Sequence, residues 1–120
     1  MHTGDQIPRV DGDMPLAKGL LEMTRKSLGM TAVVAEDGRL QGVFTDGDLR
    51  RALDDNLDVH NTLMRNIMTA NCKTVGADQL AAEAVHIMEQ AKITALLVVD
   101  DDRRLIGALN VHDFFRAGVV

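Results

Sequence analysis

At 120 residues, 46% apolar and 26% charged, the chain suffices for one domain or two very small ones sharing a core, and it is too aliphatic to stay disordered. A net charge of −5 and only three aromatic residues (Phe44, Phe114 and Phe115) argue against a nucleic-acid partner, which would call for a basic face or stacking platforms. One cysteine, Cys72, rules out an intrachain disulfide; no zinc-ligand spacing, membrane-length apolar run or signal peptide is present, which points to a cytoplasmic, aliphatic domain without membrane contact.

A short strand is predicted near Ile7 to Val10. Asp13, two positions before Pro15, then reads as the cap of a helix with Pro15 in its first turn. Leu16, Leu20, Met23 and Ser27 follow helical spacing, and Gly29 is placed to end that helix. Thr31 to Val34 is β-branched and predicts a strand, Asp37-Gly38 a hairpin turn, and Leu40 to Phe44 the returning strand. A short helix starts at Thr45, and Asp54 to Asp58 reads as a solvated loop. The same order then returns: a short strand at Lys73 to Val75, a capping Asp78, a stripe of Ala81, Ala84, Val85 and Met88, strands at Leu96 to Val99 and Leu105 to Leu109, a turn at Asp101-Asp102, and a closing helix from Asn110.

The return is a duplication. Gly42-Val43-Phe44-Thr45-Asp46-Gly47-Asp48 is matched by Gly107-Ala108-Leu109-Asn110-Val111-His112-Asp113, a shift of 65 positions that holds backward without a gap. Val10 meets Val75, Met23 meets Met88, Val33-Val34 meets Val98-Val99, and Arg51 meets Arg116. A unit of about 45–55 residues is marginal alone, so the two are expected to pack their small sheets into one pseudo-twofold body.

The duplicated helix–strand–turn–strand–helix order, with Gly42, Thr45 and Asp48 in one copy and Gly107, Asn110 and Asp113 in the other, resembles a tandem CBS domain pair. Asn66-Ile67-Met68-Thr69 is similar to the lead-in of a CBS unit, and the stretch from His2 to Pro8 stands as its counterpart. The resemblance implies an α+β fold (an α/β sandwich, the Bateman-type module), with one repeat and its lead-in over residues 1–60 and the other over 61–120. It further implies a regulatory nucleotide-binding role and a homodimer. The strings M-H-T-G-D, L-G-M-T and G-V-F-T-D-G-D-L-R-R, with the ending H-D-F-F-R-A-G-V-V, resemble more narrowly the C-terminal regulatory region of the bacterial D-arabinose-5-phosphate isomerase family. That family serves the synthesis of Kdo for lipopolysaccharide. Its sugar isomerase domain has no counterpart here, so the chain reads as a regulatory fragment without enzyme activity.

Thr45-Asp46-Gly47-Asp48 lies where a strand hands over to a helix, and two readings stand side by side. In the first it is a capping arrangement, Thr45 accepting from the amide three residues on and Asp48 reaching back. In the second the helix end, with its unpaired amides and positive dipole, suits a phosphate, and the Asp48 carboxylate suits the two hydroxyls of a ribose. The resemblance implies the second, with Asn110, His112 and Asp113 forming a less complete second cleft. Arg50 and Arg51 are either solvated helix face or the cations that an acidic protein needs to hold a phosphate or a sugar carboxylate. Leu28, Gly29, Met30 and Thr31, with Ile93, Thr94 and Ala95 in the other copy, would form the wall on which, as the resemblance implies, a base lies against aliphatic side chains and reads backbone groups.

The remaining polar groups read as structure. Asp100-Asp101-Asp102 is a hairpin tip, the methionines are adaptable core, His86 is helix surface and Cys72 an inert buried or linker thiol. No nucleophile–base pair and no metal constellation supports catalysis, and no cofactor is implied. The expected ligand is a nucleotide, either an adenine nucleotide or the nucleotide sugar CMP-Kdo, which unites a ribose diol, a phosphate and a sugar acid. Its binding would modulate the attached sugar isomerase domain. The competing reading is an oligomerisation module with vestigial clefts.

Overall fold

The computed structural model describes residues 3–26, 29–70, 72–76, 78, 81–91 and 95–110. Two three-stranded sheets form, each the copy of the other. In the first, β1 (Arg9–Asp11) runs parallel to β2 (Met30–Val34), and β2 pairs antiparallel with β3 (Leu40–Thr45). In the second, β4 (Thr74–Gly76) runs parallel to β5 (Ala95–Val99), which pairs antiparallel with β6 (Leu105–Asn110). The register slips between Val33 and Val34 in one sheet and between Val98 and Val99 in the other, so the duplication extends to the irregularity. Helices α1 (Leu16–Lys26) and α2 (Asp46–Asp54) belong to the first unit and α3 (Ala81–Ala91) to the second. The closing helix predicted from Asn110 lies outside the described residues, as do Ser27, Leu28 and Ile93.

All five residues of β2 are buried, because this strand is covered on both faces. Met30, Ala32 and Val34 meet Leu97, Val99 and Ala108 in a shared layer between the sheets, closed by Leu40, Leu105 and Ile7. Val33 and Phe44 point the other way and pack with Leu16 and Met23 of α1 and Ala52 of α2. Val75, Leu96 and Val98 repeat this with Ala84 and Met88 of α3. The pseudo-twofold packing is explicit in the backbone: Leu40 N donates to the Arg103 carbonyl at 2.9 Å, and Leu105 N donates to the Gly38 carbonyl at 3.0 Å. Each of these four residues is its counterpart shifted by 65 positions. Gly38 has φ +86° and its equivalent, Arg103, φ +65°, so the turn demands a left-handed residue in both copies.

Two details depart from the sequence reading. Asp13 does not cap α1; it pairs with Arg65, and its own amide bonds the Asp11 carboxylate at 2.9 Å. The first amides of the helix are met instead by backbone, Leu16 N by the Thr62 carbonyl and Ala17 N by the Val59 carbonyl, both at 2.8 Å. Nor is the loop after α2 wholly solvated, since Leu57 and Val59 pack onto the Phe44 cluster. The chain therefore folds back across the first unit before entering the second. Met64 is fully buried there, against Gly19, where a Cβ would stand 2.6 Å from its sulfur. A division near residue 60 separates sequence repeats, while the backbone of residues 59–69 stays bonded to the first unit.

Candidate functional site

β3 ends at Thr45, and α2 begins with the next residue. Thr45 has extended φ and ψ (−115°, 172°), as an N-cap requires, and it makes a capping box with Asp48. Asp48 N donates to Thr45 Oγ1 at 3.3 Å, while Thr45 N donates to Asp48 Oδ2 at 2.9 Å. The capping reading of the motif is thus realised in full. The carboxylate takes more than the box supplies. Thr45 Oγ1 lies 3.2 Å from Oδ2, Thr69 Oγ1 lies 3.3 Å from Oδ1 and 3.4 Å from Oδ2, and Arg51 Nη2 is paired with Oδ1. The Asp48 side chain is only 6% exposed, whereas that of Arg51 is 70% exposed.

Thr69 is the member of this cluster that sequence reasoning missed. It stands in the lead-in of the second repeat, and the signal available was the resemblance of Asn66-Ile67-Met68-Thr69 to such a lead-in. The structure lays that segment along the first unit's outer strand. Thr69 N donates to the Val43 carbonyl at 2.8 Å, and Val43 N donates back to the Thr69 carbonyl at 3.0 Å. Gly42 permits this approach, because a Cβ there would lie 2.7 Å from the Thr69 carbonyl oxygen.

The predicted wall meets the predicted motif. Met30 faces Thr45 in the β2–β3 register, Gly29 O accepts from Asp46 N at 3.2 Å, and the Gly29 Cα lies where a Cβ would be 3.3 Å from Asp46 Oδ2. Gly29 has φ +74°, which accounts for glycine there. Met30 and Thr31, expected as wall, are buried instead: Met30 fills the layer between the sheets, and the Thr31 hydroxyl donates to the Ala32 carbonyl at 3.3 Å. Both lie on a strand covered on both faces, so of this trio only Gly29 reaches the surface. Two amides at the start of α2 are also already engaged, Asp46 N by Gly29 and Asp48 N by Thr45. Asp46, Arg50 and Arg51 are exposed around this junction.

In the second unit Ala95 faces Asn110 in the β5–β6 register, the relation that Met30 bears to Thr45. Thr94, His112, Asp113 and Arg116 lie outside the described residues, as does the Asn110 side chain. A separate cleft of about 500 Å³ opens at the far end of the first sheet, beyond Val34, lined by Asp11, Asp13, Glu36, Asp37, Gln41 and Arg65. Its charge suits no anion, and it contains none of the predicted site residues. Among the described residues no cluster of His, Cys, Asp or Glu could hold a metal, and no helix is long and apolar enough to cross a membrane. Asp100 organises its hairpin tip by accepting from Asp102 N and Arg104 N.

The CBS domain model matches residues 2–55 and again 64–119. The chain belongs to the CBS domain family. As a CBS pair it is 56% identical over its whole length to the arabinose 5-phosphate isomerase KdsD of Pseudomonas aeruginosa and 45% identical to that of Escherichia coli K12. It spans only 37% and 36% of those relatives, and their remaining length has no counterpart in it. Among solved structures, the CBS pair is similar to CBSX2 in complex with AMP, with a TM-score of 0.85 and 25% identity over 99% of this chain and 92% of that one. The CBS domain pair of protein MJ0100, in complex with 5′-methylthioadenosine and S-adenosyl-L-methionine, shares the fold at a TM-score of 0.83 and 23% identity over 98% of this chain and 91% of that one.

Proposed function

We propose that this CBS pair is a regulatory nucleotide sensor belonging to an arabinose 5-phosphate isomerase, with its ligand at the Thr45–Asp48 junction. The observation that carries the reading is the gathering of one buried carboxylate, two hydroxyls, a guanidinium and a helix N-terminus at one strand-to-helix turn. Asp48 takes the ribose diol, Thr45 and the helix end take a phosphate, Arg50 and Arg51 supply positive charge, and Gly29 and Asp46 border the base. Support comes also from CBSX2, whose fold is shared and whose ligand is AMP, and from whole-chain identity to isomerases. Asn110, His112, Asp113, Thr94 and Ala95 would form the second cleft by repeat symmetry.

The ligand class is a nucleotide. Adenine nucleotides and CMP-Kdo are the two candidates, the latter because a sugar acid gives Arg50 a second anion to hold. Occupancy would shift the arrangement of attached isomerase domains in a cytoplasmic homodimer serving lipopolysaccharide synthesis, with a coupling of about 1–3 kcal/mol. Calorimetry with AMP, ATP, CMP and CMP-Kdo tests this: heat with at least one, loss in Asp48→Ala, and weaker binding of the 2′-deoxy analogue are required. Isomerase assays on a full-length relative with the bound nucleotide test the modulation.

One observation favours the competing reading, an oligomerisation module with vestigial clefts. Every oxygen of Asp48 is already hydrogen-bonded, so a diol finds no open acceptor. That reading requires no heat with any of the four nucleotides and a dimer by light scattering.

A further inference from the structure

Arg51 lies back over the first turn of α2, its guanidinium on Asp48 Oδ1 and beside Gly47, whose Cβ would stand 3.9 Å from Nη1. A diol approaching Asp48 must take this lone pair and that of Thr69. Thr69 is a neutral hydroxyl on an exposed residue and turns to water easily. Arg51 is different: removing it strips a buried carboxylate of its counter-charge. The other end of the pair is 70% exposed, so the guanidinium itself moves freely once something else attracts it. An anionic group on the ligand does that, at the helix mouth where the guanidinium already lies.

We infer that Arg51 is the specificity-determining residue of this cleft: it competes with the ligand's diol for Asp48 and yields only to a ligand that brings its own anion. The inference rests on Asp48 being the diol acceptor. A nucleoside must then displace Arg51 with nothing to offer it, whereas a nucleotide re-pairs it with phosphate. Arg51 thereby selects against the uncharged ligand as well as for the charged one. An arginine that merely bound phosphate would leave nucleoside affinity untouched, and one that merely braced the helix would change both ligands alike.

Calorimetry on the intact chain with adenosine against AMP and cytidine against CMP, for unmodified protein, Arg51→Met and Arg51→Gln, distinguishes these roles. Both variants lose some stability with the counter-charge, but Asp48 keeps its bonds from Thr45 and Thr69, and far-ultraviolet circular dichroism and thermal unfolding verify that they are folded at the assay temperature. The expected result is tighter nucleoside binding in both variants, by about threefold to tenfold, with weaker nucleotide binding, so that the nucleotide-to-nucleoside ratio falls by about tenfold or more. Nucleoside affinity that stays equal or weakens, or a ratio that changes less than about threefold, overturns the Arg51 inference and leaves the sensor reading standing. No binding of any of the four ligands to unmodified protein overturns the Arg51 inference, and the sensor reading falls with it when ATP and CMP-Kdo also give no heat.

Discussion

Thr69 places its hydroxyl 3.3 Å from Oδ1 of Asp48, across 21 positions of sequence and from the lead-in of one repeat to the helix cap of the other. The contact joins a local cap to a long-range one. Thr69→Val removes one donor from a buried carboxylate that keeps Thr45 N and Arg51, so urea unfolding should show a loss of about 1 kcal/mol. Thr45→Ala removes a capping-box member and should lose about 1–2 kcal/mol. A larger effect for Thr69→Val than for Thr45→Ala would contradict this ordering.

Gly42→Ala should be among the most damaging single-methyl additions in the chain. Its Cβ would meet the Thr69 carbonyl oxygen at 2.7 Å and the Met68 sulfur at 2.8 Å. The sulfur can turn aside, but the carbonyl is backbone, fixed by the two Val43–Thr69 hydrogen bonds. We expect a loss of about 1–3 kcal/mol and earlier hydrogen exchange at the Val43 and Thr69 amides.

Gly38→Ala isolates a pure backbone effect. No atom lies within 4 Å of the added methyl, yet φ is +86°. The left-handed conformation should make the variant about 1–2 kcal/mol less stable in chemical denaturation, with the same m-value. A neutral result would show that the hairpin tip relaxes.

Cys72 is half-buried beside the shared layer, and desolvation pushes its thiol above the ordinary value, with Arg103 pulling the other way. Native protein at pH 8 should react with iodoacetamide more slowly than urea-unfolded protein. The sign for stability follows: the folded state holds its proton longer, so stability falls as pH rises past the unfolded thiol's value near 9.0. Asp58 behaves oppositely. Hydrogen bonds from Asn61 and His60 N lower its pKa, so the turn is favoured above the unfolded value of 3.8 and loosens as pH falls through the lower folded value. Chemical shifts of the Asn61 side-chain amide, followed through that range, would report the loosening.

The repeated elements were legible because the hydrophobic pattern and the turn residues agree in both copies. Asp37-Gly38 forms the predicted turn, and Thr45 opens the predicted helix. The cap of α1 was misread because Asp13 looks like a cap locally, whereas carbonyls of Val59 and Thr62, more than 40 positions onward, provide it. Spacing carries no information about such partners. The burial of Met30 and Thr31 was missed for another reason: the unalternating run to Val34 is the pattern of a strand covered on both faces, and it was read only as a strand. Of the site, the Thr45–Asp48 pairing was written in the motif, while the Thr69 hydroxyl needed the third dimension.

Met64 fills the notch left by Gly19 from beyond the first repeat, and Ile7 closes an interface with Leu97 and Leu105 that belong to the second. Neither half owns all the atoms of its own interior. A gene split at residue 60 would yield two sticky polypeptides, each short of a plug the other carries, and their solubility would return only when both were synthesised together.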